Sequence, residues 1–291
     1  MAESTAALAL ITGGNSGIGK WTAIGLARRG FQVVITSRDP ARGQSAVAEI
    51  RREAGSDAVE CLSLDLADCA AINDFARVFS DRFTRLDVLV NNAGLMLSDR
   101  SETVDGFETT FGVNHLGHFL LTHRLLPVLR RSAPARIVVV ASDAHKSARK
   151  GLDFADLQST RRYSGFEVYA RSKLANIYFA RELARQLDPE KITVNALHPG
   201  VVATNFSGDG DARGLVALFF RLARPFLLTA EQGASTSVCL CTAPDLAGKT
   251  GGYFAKSKPA ALAAAAHDDT AARRLWEASE QLLAAAGQPT A

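Results

Sequence analysis

Tyr169 and Lys173 stand four residues apart in the run Tyr-Ala-Arg-Ser-Lys. Leu174, Ile177, Leu183 and Leu187 recur at helical spacing around them, and no Gly or Pro interrupts residues 166–187. On a helix, positions i and i+4 lie one turn apart on the same face. The phenol and the ammonium can therefore address one small volume. A cation beside a phenol favours the phenolate and lowers its pKa from about 10 toward working pH, which would make Tyr169 a general acid or base. Such a pair is more often a plain surface contact, so the elements around it must decide.

Residues 6–11 are an apolar run that meets Thr12-Gly13-Gly14-Asn15-Ser16-Gly17-Ile18-Gly19, and a helical pattern over 21–29 follows. Strand, glycine turn and helix N-terminus together suit a pyrophosphate, because glycines admit a close approach and the helix end offers free N–H groups. A tight turn with no ligand is the alternative. The spacing is Gly-x3-Gly-x-Gly, not GxGxxG. Residues 31–36 form a second strand, ending at Ser37-Arg38. An acidic residue about 20 positions past the glycines would take a ribose 2′-hydroxyl. Arg38 stands there instead and suits a 2′-phosphate, which favours NADP over NAD. Asp39 competes for the role, but it reads better as a helix cap with Pro40 in the first helical position.

Residues 59–64 are a third strand. It ends at Asp65-Leu66, where a carboxylate could accept from an adenine amino group, and Asp68 caps a helix running to Phe83. A fourth strand over 86–90 enters Asn91-Asn92-Ala93-Gly94, small residues that suit a cofactor, or simply a polar turn. The helical pattern over 107–131 holds Asn114, a poor interior helix residue that implies something inserted into the ladder. His115, His118 and His123 share this stretch, but no suitably spaced carboxylate completes a metal site, and none is expected.

The fifth strand, 136–141, is nearly all apolar and ends at Ser142, at the carboxyl edge where open α/β sheets bind ligands. A sixth strand over 192–196 leads into His198-Pro199-Gly200-Val201-Val202-Ala203-Thr204. A helix over 230–241, a short strand over 252–254 and a polar C-terminal helix within 268–285 complete the chain. The alternation predicts an α/β, doubly wound parallel sheet of about seven strands, a single-domain Rossmann fold over 1–291.

Composition agrees with an ordinary soluble globular protein: of 291 residues, 47% are hydrophobic and 22% charged, and the net charge of +3 is too small to argue for nucleic acid. Cys61, Cys69, Cys239 and Cys241 form no CxxC pair and read as reduced, with Cys61 and Cys239 packed. With no secretory pattern at residues 1–6, a cytoplasmic location is expected. The apolar segment 215–228 is broken by Arg221, Arg224 and Pro225 and cannot span a bilayer.

Thr12-Gly13-x3-Gly17-x-Gly19, Asn91-Asn92-Ala93-Gly94, Asn114, Ser142, Tyr169-x3-Lys173 and His198-Pro199-Gly200, in this order, resemble the short-chain dehydrogenase/reductase family. The stretches from Asn114 through Thr122, Ala144-His145, Asp156-Leu157 and Ser172 through Asn176 resemble its retinol dehydrogenase-like branch most, and that branch favours NADP. The resemblance implies an oxidoreductase that interconverts an apolar aldehyde or ketone with its alcohol. Tyr169 is the general acid/base, Ser142 orients the carbonyl oxygen, Lys173 lowers the tyrosine pKa and holds the nicotinamide ribose, and Asn114 holds a water of a proton relay. The nucleotide is held by Gly13, Asn15, Ser16, Gly17, Ile18, Gly19, Arg38, Asp65, Leu66, Asn92, Ala93, Gly94, Tyr169 and Lys173, with Pro199, Gly200, Val202 and Thr204 at the carboxamide end. Residues 204–228 resemble the variable substrate lid, where Phe219, Phe220, Arg221 and Arg224 leave membrane-surface contact open. Segment 144–168 is longer than in the plainest members and can cover a helix interface, so a homodimer is kept open in place of the usual tetramer. The alternative reading is a silent NADP-binding regulatory protein, against which the intact Asn114, Ser142, Tyr169 and Lys173 set argues.

Overall fold

The structure, a computed structural model, describes residues 6–200 and 228–290. Val202, Thr204 and nearly all of the expected lid lie outside the described residues. The described chain builds one eight-stranded sheet in the order β3-β2-β1-β4-β5-β6-β7-β8. Its strands are β1 (Leu8–Ile11), β2 (Gln32–Ser37), β3 (Val59–Ser63), β4 (Val88–Asn91), β5 (Ala135–Val140), β6 (Ile192–Leu197), β7 (Tyr253–Ala255) and β8 (Lys258–Pro259). All neighbours pair parallel except β7 and β8. The antiparallel β8 is one strand more than expected. It returns through Lys256 and Ser257, both at positive φ (49° and 58°), the backbone a two-residue hairpin needs. Neither residue is of a type that usually announces such a turn.

The helices are α1 (Gly17–Ala27), α2 (Pro40–Ala54), α3 (Cys69–Arg82), α4 (Thr109–Phe111), α5 (Gly117–Arg131), α6 (Gly165–Gln186), α7 (Ala230–Thr242) and α8 (Asp269–Ala285). Strand order reverses between β1 and β4, and the crevice at that switch point is where this architecture takes ligands. Two apolar cores flank the sheet. One holds α1, α2 and α7 on β1, β2 and β5; the other holds α3, α5, α6 and α8.

Several local expectations are met. Asp39 caps α2 by accepting from Ala41 N (2.9 Å) and Arg42 N (3.2 Å), with Pro40 in the first turn. Asp68 caps α3 through Ala71 N at 3.0 Å. The long helix of 107–131 is interrupted: α4 passes through a π turn, Gly112–Leu116, into α5. Asn114 sits in that turn, so its poor propensity marks a ladder that is not α-helical there. The cysteines are free, as expected: Cys69 and Cys241 are buried, and Cys61 and Cys239 are half-buried and pack against the apolar core.

The C-terminal helix α8 is amphipathic rather than simply polar. Ala272, Leu275, Trp276, Ser279 and Leu283 form its buried stripe. Trp276 meets Phe119 (ring centroids 4.8 Å apart), stacks on Phe179 (6.1 Å) and lies 5.0 Å from His123. Burying each large apolar side chain contributes about 1.5–3 kcal/mol. It is α8 that covers the outer face of α5 and α6 here. Among the described residues no helix is long and apolar enough to cross a membrane.

Candidate active site and nucleotide cleft

The glycine turn is packed too tightly for side chains. A Cβ on Gly19 would fall 2.5 Å from both Gly13 O and Asn92 Nδ2, and one on Gly14 would fall 2.5 Å from Ile35 Cγ2. Gly13 and Gly17 have positive φ (62° and 52°). Ser16 occupies the N-cap of α1 without a side-chain capping bond, and no acidic residue stands in the first turn. The N–H groups around Asn15, Ser16, Ile18 and Gly19 thus meet no capping side chain, and an anion suits that end of the helix. Arg38 is exposed and makes no ion pair with a described residue. Its neighbour Asp39 is spent on its cap and on Arg42, 3.5 Å away. Asp65 Oδ1 accepts from Ala67 N at 2.9 Å, and Leu66 is buried, its carbonyl against Gly117. This cradle fits an NAD(P)-type dinucleotide.

Thr12 braces the cleft. Its Oγ1 accepts from Asn92 N (2.9 Å) and Ala93 N (3.0 Å), so the end of β4 is tied to the end of β1. The Asn92 amide donates to Thr12 O at 2.7 Å, which makes that side chain a brace of the turn. Gly94 follows. A Cβ there would lie 3.1 Å from Lys173 Nζ and 3.2 Å from Asn114 Oδ1, so this glycine permits the loop to cross over both groups.

The four polar residues expected on the other side converge. Ser142 ends β5 and caps a 3-10 turn, Asp143–Ser147, by accepting from Ala144 N at 3.2 Å. Ser142 lies close enough to the Tyr169 hydroxyl to favour its ionised form. Lys173 is 3% exposed; its ammonium donates to Val140 O at 3.1 Å and lies 5.7 Å from the Tyr169 ring centre. Asn114 uses both amide hydrogens, on Leu95 O (2.9 Å) and Ser172 Oγ (2.9 Å), while its Oδ1 accepts from Leu95 N (2.8 Å). Ser172 Oγ donates in turn to Tyr169 O at 2.8 Å. Pro199 and Gly200 follow β6, where Gly200 N donates to His198 Nδ1 at 3.2 Å.

The electrostatics correct one expectation. The Tyr169 pKa is raised rather than lowered. Burial raises the phenol, and Ser142 only partly opposes it. Burial also pulls Lys173 down to about 8. The Lys173 ammonium is buried and donates to a backbone carbonyl. Each group is held toward its neutral form.

His115 and His118, which complete no metal site, both serve the site's frame. His115 bonds Ser279 Oγ of α8 (2.8 Å), and His118 bonds Thr12 Oγ1 (2.8 Å) and Asn114 O (3.2 Å). The His118–Thr12 contact joins residues 106 positions apart, so no local pattern announces it. His145 pins the turn after Ser142, with Nδ1 donating to Ser142 O at 2.8 Å.

Comparison with known proteins agrees with this geometry. Residues 13–243 match a family model described as Enoyl-(Acyl carrier protein) reductase. Retinol dehydrogenase 12 of Mus musculus is 45% identical over 274 residues, covering 94% of this chain and 85% of that protein. Retinol dehydrogenase 14 of Homo sapiens is 43% identical over 289 residues, with the same coverage. Among solved structures, an uncharacterised protein from Mycobacterium Paratuberculosis superposes with a TM-score of 0.75 at 33% identity, covering 98% of this chain and 95% of that one. The Pseudomonas aeruginosa RhlG/NADP complex gives 0.68 at 28%, covering 86% and 95%. A 3-ketoacyl-(acyl-carrier-protein) reductase from Brucella melitensis complexed with NADH gives 0.65 at 27%, covering 85% and 95%. With its Rossmann-like sheet, glycine turn and convergent Ser, Tyr, Lys and Asn, the chain belongs to the short-chain dehydrogenase/reductase family, in its retinol dehydrogenase-like branch.

Proposed function

We propose that the protein is an NADP(H)-dependent oxidoreductase that interconverts an apolar aldehyde or ketone with its alcohol. The observation that carries this is the buried Lys173, one turn along α6 from Tyr169, whose ammonium donates to the Val140 carbonyl. A buried ammonium with no counter-charge costs stability, and such a cost is retained where chemistry uses it.

NADP(H), when bound, supplies or accepts the hydride. Gly13, Asn15 to Gly19 and the first turn of α1 hold the pyrophosphate, Arg38 the 2′-phosphate, Asp65 and Leu66 the adenine, and Asn92 to Gly94 the central part. Lys173, Tyr169, Pro199, Gly200, Val202 and Thr204 hold the nicotinamide end. A carbonyl oxygen placed between Tyr169 and Ser142 would accept from both hydroxyls. Tyr169 donates its proton to that oxygen in reduction and takes one from the alcohol in oxidation. Lys173, held near a pKa of about 8, returns the proton at working pH. Asn114 and Ser172 hold the loop and helix that set this geometry. An apolar lid over 204–228 and a cytoplasmic location complete the reading.

Tyr169→Phe is expected to lower kcat for NADPH-dependent reduction across a carbonyl panel by about 10²–10⁴-fold, the usual worth of a positioned acid. An unchanged rate would remove Tyr169 from the mechanism.

A further inference from the structure

We propose that His118 is a positioning residue that joins the glycine turn to the catalytic side of the cleft, so that its two ring nitrogens separately support cofactor affinity and turnover. The inference rests on the functional reading above.

The ring is 2% exposed. Its Nδ1 faces the Asn114 carbonyl, which can only accept, so Nδ1 carries the proton. Nε2 is then the acceptor, and the Thr12 hydroxyl donates to it at 2.8 Å, a better bond than its 3.3 Å approach to Val90 O. Burial holds the ring neutral, its pKa lowered to about 4, and Lys173 of α6 pushes the same way. The other titratable group near it is His115, on the same turn and also neutral. One rigid ring thus closes a path of hydrogen bonds. Thr12 organises the ends of β1 and β4 under the glycine turn. His118 passes from Thr12 to Asn114, Asn114 to Ser172, and Ser172 to the carbonyl of Tyr169. Both ring nitrogens are used, and each bond ends on a different half of the cleft.

The two ends can be cut one at a time. His118→Asn keeps a donor near the Nδ1 position and loses the Thr12 bond. His118→Gln keeps an acceptor near the Nε2 position and loses the Asn114 bond. Losing one buried hydrogen bond changes a constant by roughly tenfold. H118N is expected to weaken NADPH, titrated by fluorescence, about tenfold, with kcat at saturating NADPH within about twofold of the parent. H118Q is expected to leave NADPH affinity within about twofold, lower kcat about tenfold and displace the pH profile of kcat. If both variants lower Tm but keep the parent affinity, kcat and pH profile, His118 only packs and the proposal fails. It fails equally if both shift affinity and kcat alike. Should H118N not fold, H118Q decides: parent NADPH affinity with a lowered kcat supports the proposal, and weakened NADPH affinity overturns it. A parent protein that binds NADPH but reduces no carbonyl would sink the functional reading, and the binding titration of H118N would then decide the inference alone.

Discussion

Arg38 and Asp39 are adjacent and do opposite work. Asp39 is consumed by the first turn of α2, while Arg38 extends from the end of β2 with its charge unspent. A planar guanidinium is matched to a phosphate by charge and by paired donors. Arg38→Ala is therefore expected to raise the KM for NADPH at least about tenfold and to leave the KM for NADH nearly unchanged. Steady-state kinetics with both nucleotides checks this, and equal effects on the two would refute a 2′-phosphate contact. Tyr169 and Lys173 teach a different lesson at the same scale. Their spacing correctly places them on one face of α6, but spacing says nothing of which acceptor the ammonium finds. It finds Val140 O, a partner supplied by another element.

At the scale of elements, α8 holds the back of the catalytic turn. His115 follows Asn114 directly, and its Nε2 donates to Ser279 Oγ, whose own proton goes to Leu275 O. Trp276 fills the aromatic face beside it. Trp276→Ala is expected to cost about 3–5 kcal/mol of stability, the range for emptying a large aromatic site, measured by denaturant unfolding. A cost below about 1 kcal/mol would mean that α8 does not pack as described. The stripe Ala272, Leu275, Trp276, Ser279 and Leu283 was present in the sequence, but the charged residues between obscured it. The caps Asp39 and Asp68 and the glycine turn were legible because they act within a few residues. Asn114 signalled a disturbed ladder without specifying a π turn, and the β7–β8 hairpin and the His118 bonds were not legible. Each depends on a partner far along the chain or on a backbone state that its residue types do not announce.

Across the whole molecule, buried neutral groups set the response to acid. His115 and His118 are lowered to about 3 and about 4 from 6.5. Below pH 6.5 the unfolded chain takes up protons that the folded chain refuses, so stability falls with pH until those lower values are passed. Each histidine contributes a slope of about 1.4 kcal/mol per pH unit within its window. Calorimetry should show Tm falling from pH 7 to pH 5, with a shallower fall in H118Q. A flat Tm would mean that these rings titrate normally. Lys173 acts in the same sense at the alkaline side: its folded value of about 8 lies below 10.5, so its contribution to stability improves as pH rises between the two.

The position of α8 in the chain also sets an order of assembly. Phe119 and Phe179 belong to helices synthesised well before α8, yet their outer faces are covered by Trp276. During translation the sheet can be completed through β8 while that aromatic patch is still open to water. The nascent protein therefore carries a sticky surface until α8 leaves the ribosome, and α8 closes that surface only after the sheet before it can form.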